Sequence, residues 1–167
     1  MLIIVYFNML CVTRFNNQTY NEYRTWCNKH EFTGCIYGTP IKMGNLIESD
    51  SVLFVLEMNN STNKIVGIGM LPSKNNICQK RHKIYSDNNY NRYTYYSKYR
   101  IDLRYNYLPL ILFKKISMLE KLIFYGKRHC KRGQGIQNIP QWIYSLKNIN
   151  IDSIIDIIKI TFKIYNS

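Results

Sequence analysis

An α+β domain built on a small, curved or barrel-like sheet flanked by helices is the fold class predicted for this 167-residue chain. Three observations predict it. The chain opens on an apolar strand and a short helix, its middle carries a β-hairpin pattern, and its end carries an apolar stripe at helical spacing. The length fits a single domain over residues 1–167, with enough residues to bury a core without disulfide staples.

The elements follow in order. Leu2 to Phe15 is rich in Ile, Val, Tyr and Phe, as expected for a strand buried on both faces. Asn17 or Thr19 is placed to cap a helix through Tyr20, Tyr23 and Trp26, and His30 to Met43 reads as a loop broken by Gly34, Gly38 and Pro40. Ser51 to Glu57 and Lys64 to Leu71 are two strands of a hairpin joined by a polar Asn-rich turn. Within the second, Gly67 and Gly69 imply a bulge or a close approach of a ligand or another strand. Pro72 to Tyr95 has the composition of a long surface loop. Tyr96 to Tyr105 and Leu110 to Ile116 resume strand character, and Ser117 with Glu120 forms a capping-box pattern for a helix ending at Gly126. Pro140 suits the start of a helical turn through Trp142 and Leu146. Ile151, Ile154, Ile155, Ile158, Phe162 and Ile164 then mark one face of a final helix, with Asp152 and Lys163 complementing its dipole.

The sign of the charge points to the partner. Lys and Arg number 23 against 10 Asp and Glu, a formal +13. Such a field attracts polyanions, nucleic acid first and an anionic membrane second. The apolar start is too short to span a bilayer and lacks the features of a secretory signal, so no membrane partner is expected. Five scattered cysteines form neither a disulfide framework nor a metal-ligand pattern, which favours a reducing, intracellular compartment without a metal or other cofactor. His30, His82 and His129 sit in no nucleophile or metal motif, no paired carboxylates stand out, and no phosphate-cradling glycine loop is present. The expectation is a binding protein, not an enzyme.

Two segments carry binding chemistry. From Lys80 to Tyr107 cations alternate with tyrosines, a pattern that pairs phosphate neutralisation with stacking on unpaired bases. Lys127, Arg128, Lys131 and Arg132 form a second basic cluster that runs into Gly133-Gln134-Gly135, as in a phosphate-contacting loop.

These pieces occur in an order that resembles the YTH domain and, more distantly, the EVE domain, both of the PUA-like superfamily. Tyr23-Arg24-Thr25-Trp26-Cys27 stands where YTH domains have a Trp-Cys pair after the opening strand and helix. Ser51 to Asn59 and Lys64 to Met70 look like that family's hairpin, and Cys130 to Ile136 occupies the place of its basic loop. The resemblance implies a PUA-like fold and an RNA-binding reader that captures one N6-methylated adenosine in an aromatic cage. By position it implies Trp26 as the first cage wall, with Tyr90 and Tyr93 standing where the family has tryptophans. It places the phosphate on Arg128 and Lys131, and Arg132 in the same loop and Arg14 at the end of the first strand join them as expected phosphate contacts. The partner so implied is single-stranded, modified RNA. Two other readings accompany it: a viral scaffold or assembly subunit that docks proteins through the same fold, and a reader of modified DNA of the EVE kind.

Overall fold

The computed structural model describes residues 8–43, 51–72, 81–105 and 107–165. Their order is β1 (Asn8–Phe15), α1 (Asn17–Lys29), β2 (Cys35–Thr39), β3 (Val52–Asn59), β4 (Lys64–Pro72), β5 (Tyr93–Ser97), β6 (Arg100–Asp102), α2 (Leu110–Ile123), β7 (Gln137–Asn138), α3 (Gln141–Tyr144) and α4 (Ile151–Tyr165). This is an α+β arrangement. Five strands form one sheet in the order β6-β4-β3-β1-β7, and β2 pairs with β5 in a second, two-stranded sheet. No barrel closes among the described residues, because the main sheet ends on the short strands β6 and β7.

β1 and β3 lie parallel at the centre, and α1 and β2 lie between them in sequence. Period-two alternation sorts their side chains into two cores. Leu10, Val12, Phe54, Leu56 and Met58 pack with α2, α3 and α4 on one face. Cys11, Phe15, Leu53 and Val55 pack with α1, β2 and β5 on the other. The sheet is therefore covered on both sides, which accounts for the almost unbroken apolar character of β1 and β3.

Glu57 is the exception in that pattern, a carboxylate with no exposed surface at the end of β3. Its Oε1 accepts from Tyr23 at 3.2 Å, from Tyr37 at 2.9 Å and from Arg100 Nε at 2.9 Å, while Oε2 accepts from Arg100 Nη2 at 2.7 Å. Arg100 Nη1 reaches Asp102 at 3.0 Å. One carboxylate thus ties α1, β2 and β6 to β3. Burial first, and neighbouring negative groups second, push the Tyr23 and Tyr37 phenols well above their ordinary range, so both remain donors. The two strand glycines answer to the same cluster. A Cβ on Gly67 would lie 2.4 Å from Glu57 Oε2 and 2.5 Å from Arg100 Nη2, and one on Gly69 would lie 2.2 Å from the Tyr37 hydroxyl. The close approach read from Gly67 and Gly69 is that of these buried side chains.

Several expectations are corrected. Leu110 to Ile116 is helix, not strand, since Leu112, Ile116, Leu119 and Ile123 continue one buried stripe straight through Ser117. Glu120 does not cap that helix; it accepts from Ile65 N at 2.9 Å and Lys64 Nζ at 3.1 Å, and so holds the start of β4. The cap of α1 is Asn16, whose side chain accepts from Thr19 N while Thr19 Oγ1 accepts from Asn16 N. The loop expected over His30 to Met43 contains β2. Ile164 lies off the buried face of α4 and is exposed, and the turn after Pro140 is only four residues long. Residues 2–7 of the first expected strand lie outside the described residues.

None of the described helices is long and apolar enough to cross a membrane.

Replacing Glu57 by Gln removes the carboxylate that holds Arg100 through two nitrogens, leaving Asp102 as its charged partner, and is expected to destabilise the fold by about 3 kcal/mol in urea unfolding. A loss under about 1 kcal/mol would show that the cluster does not organise the fold.

Candidate functional site

A cleft of about 180 Å³ opens where the carboxyl end of β1 meets the N-terminus of α1. Thr13, Arg14 and Phe15 come from β1, Asn16 and Thr19 from the cap of α1, Thr39 and Pro40 from the end of β2, and Asn60 from the β3–β4 turn. Tyr85 and Tyr90 close one side, and Lys131 with residues 133–135 closes the other. Its volume is below the range of drug-sized sites, so it suits one small planar group or one phosphate.

Each wall has a local cause. Asn91, itself buried, accepts through Oδ1 from the backbone N of Ile84 and Tyr85 at 3.0 Å each and donates through Nδ2 to Tyr85 O at 2.7 Å. That clasp folds residues 84–91 inward and sets Tyr85 edge-to-face on Tyr90, centroids 6.0 Å apart. The composition of Pro72 to Tyr95 predicted a surface loop; Ile84, Tyr85 and Asn91 are buried, and residues 73–80 lie outside the described residues. On the opposite wall the loop backbone lies against Arg14. Gly133 has φ +112°, which side-chain-bearing residues rarely adopt, and a Cβ there would meet Gln137 Oε1 at 2.7 Å and the Arg14 guanidinium at 3.3 Å.

The electrostatics are one-sided. Arg14 Nε donates to Cys130 O and Nη2 to Gln137 Oε1 at 2.9 Å. Lys131 Nζ donates to Asn63 Oδ1 at 2.8 Å. All three acceptors are neutral, whereas the ion pairs among the described residues engage Lys64, Arg100 and Arg104. Burial lowers the Arg14 pKa, with Cys130 acting weakly the other way, yet a guanidinium remains charged at any ordinary pH. The first turn of α1 carries no acid, so its positive dipole end adds to the two cations at the cleft.

The structure brings three of the expected site residues, Arg14, Tyr90 and Lys131, into this cleft. Arg132 follows Lys131 on the exposed loop. Arg128 lies apart, its guanidinium 4.4 Å above the Trp142 ring. Tyr93 is half-buried beside the cleft, paired across β2 with Thr39 and covered by Lys42 Nζ at 5.6 Å. Trp26 does not line the cleft: it lies seven residues beyond Thr19 on α1, about 10 Å along the axis. Its half-buried indole stacks on His30 at 4.0 Å and meets Phe32 and His82 edge-on. Asn60, Thr39 and the clasp residue Asn91 were not singled out from sequence. An Asn in an Asn-rich chain carries no signal of its own, and only the β1–β3 register, Phe15 against Asn59, places Asn60 beside Arg14.

Among the described residues no group of His, Cys, Asp and Glu could hold a metal ion. Burial pushes the Cys11 and Cys35 thiols up to about 12 and Cys27 up to about 11, the state of inert core cysteines. Iodoacetamide labelling at pH 8 should therefore spare Cys11, Cys27 and Cys35 until denaturant is added. Rapid native labelling of any of the three, mapped by mass spectrometry, would contradict their burial.

Set against protein-family models, curated proteins and solved structures, the chain gives no match in any of the three.

Proposed function

We propose that this protein binds single-stranded RNA and seats one nucleotide, an N6-methylated adenosine, in the cleft at the end of β1, with the flanking phosphates on Lys131, Arg132 and the positive end of α1. The observation that carries the reading is the convergence in one small cleft of a tyrosine pair and two cations that have no acidic partner among the described residues. Cations that neutralise phosphates supply salt-dependent affinity, and an aromatic side chain supplies stacking on an unpaired base. Phe15, Tyr85 and Tyr90 provide the apolar surface against which a methyl group is shielded from water. Tyr90 keeps the cage role expected of it, whereas Trp26 and Tyr93 do not line the cleft and Arg128, stacked on Trp142, takes no phosphate.

A specific observation favours a second reading, in which the molecule docks a protein. Leu110, Ile111 and Ile160 are exposed large apolar side chains on α2 and α4, which pack against each other. Reversing Lys131 and Arg132 to Glu separates the two readings, since docking through α2 and α4 would survive it and RNA binding would not.

Fluorescence anisotropy with short RNAs bearing adenosine or N6-methyladenosine, at two salt concentrations, tests the proposal. The methylated RNA should bind more tightly, both affinities should fall as salt rises, and Tyr90→Ala should weaken binding by roughly tenfold or more, the equivalent of one lost stack of about 1–3 kcal/mol. Affinity indifferent to salt, or to Tyr90, would overturn it.

A further inference from the structure

Four buried side-chain polar atoms among the described residues have no protein hydrogen-bond partner, and two of them are on residues that line the same cleft. One is Arg14 Nη1, a donor; the other is Asn60 Oδ1, an acceptor. A buried polar atom left unmatched is costly, and native folds keep few of them without a reason. Here the two residues are fixed by successive carbonyls of one loop. Arg14 Nε donates to Cys130 O, and Asn60 Nδ2 donates to Lys131 O at 3.0 Å. Because an amide that donates through Nδ2 must turn Oδ1 away from that carbonyl, the orientation of Asn60 is set by the fold. Gln137 holds the other end of the Arg14 guanidinium. Both side chains are therefore locked, and each retains one unused hydrogen-bonding group.

We infer that Arg14 and Asn60 form a donor–acceptor pair that reads the polarity of one base edge in the cleft. The inference rests on the nucleotide reading proposed above and deepens it. A phosphate presents acceptors only, so it would satisfy Arg14 and leave Asn60 Oδ1 facing negative oxygen. A base edge presents an acceptor beside a donor, as adenine does with a ring nitrogen next to its exocyclic amine. The inner cleft is accordingly a base site, and phosphates belong to its rim. With the sugar held at the mouth, a base whose donor and acceptor are interchanged meets Arg14 with a donor and Asn60 with an acceptor, and is rejected. Adenine and hypoxanthine are such a pair of equal shape, as are cytosine and uracil.

The test compares RNAs of one sequence that carry adenosine, inosine, cytidine or uridine at a single unpaired position. One member of each equal-shaped pair should bind at least tenfold more tightly than the other. In Arg14→Lys, which keeps the charge, and in Asn60→Ala, that preference, read as the affinity ratio within each pair whatever the overall affinity, should fall below twofold; thermal melting checks that both variants fold. Equal binding within the pairs, or a preference that survives both substitutions, overturns the inference and leaves the RNA reading standing. Failure of the parent protein to bind any of the four RNAs overturns both.

Discussion

The carboxylate of Glu57, buried and held by Tyr23, Tyr37 and Arg100, is the constraint around which the fold is arranged. A charge without water needs hydrogen bonds to both oxygens and an opposite charge in contact, and the chain meets both needs from three separate elements. Each donor must arrive at its position for any of them to be stable there. The cluster therefore fixes geometry more than it adds net stability, because the desolvation of Glu57 and Arg100 offsets much of their attraction. Gly67 and Gly69 show how far the surrounding sheet accommodates it, leaving bare backbone under the ion pair and under Tyr37.

The cleft lies one step outward from that cluster. Tyr23 sets α1 on the sheet and so places the Asn16 cap; Tyr37 precedes Gly38, Thr39 and Pro40 on β2; and Glu57 precedes the turn that carries Asn60. Three walls of the cleft thus descend from elements that one buried carboxylate aligns. The wall opposite Tyr85 and Tyr90, residues 130–135, is held by Arg14 and Asn60 through its own carbonyls. Rigid support of this kind is what a site needs if it is to discriminate ligands by hydrogen bonds, since a loose donor adapts to either partner. The distribution of acids completes the arrangement. Glu57 and Asp102 are committed to Arg100 and Arg104, and Glu120 to Lys64, and among the described residues Arg14 and Lys131 have no ion pair.

Much of this was legible in the residues. The β3–β4 hairpin, the buried character of β1 and the stripe of α4 follow from local periodicity. What escaped was set by tertiary contacts. Leu110 to Ile116 has strand-like composition, and its helical state comes from a buried stripe that extends to Ile123. Glu120 matched a capping box but is recruited by the backbone of β4, more than fifty residues earlier in the chain. The family resemblance made Trp26 the first cage wall, yet α1 carries it about 10 Å along its axis from Thr19 and out of the cleft. Asn60 and Asn91 could not be told from the other asparagines of the chain, because their roles come from a register and a turn that no local pattern records.

The most direct test of a base held at the end of β1 is to learn where RNA touches the protein. Photo-crosslinking with a single 4-thiouridine next to the recognised position, followed by mass spectrometry, reads this without any substitution. The account predicts crosslinks to Tyr90 and to residues 131–135. Crosslinks concentrated at Trp26 and His30, with none at Tyr90 or that loop, would contradict it.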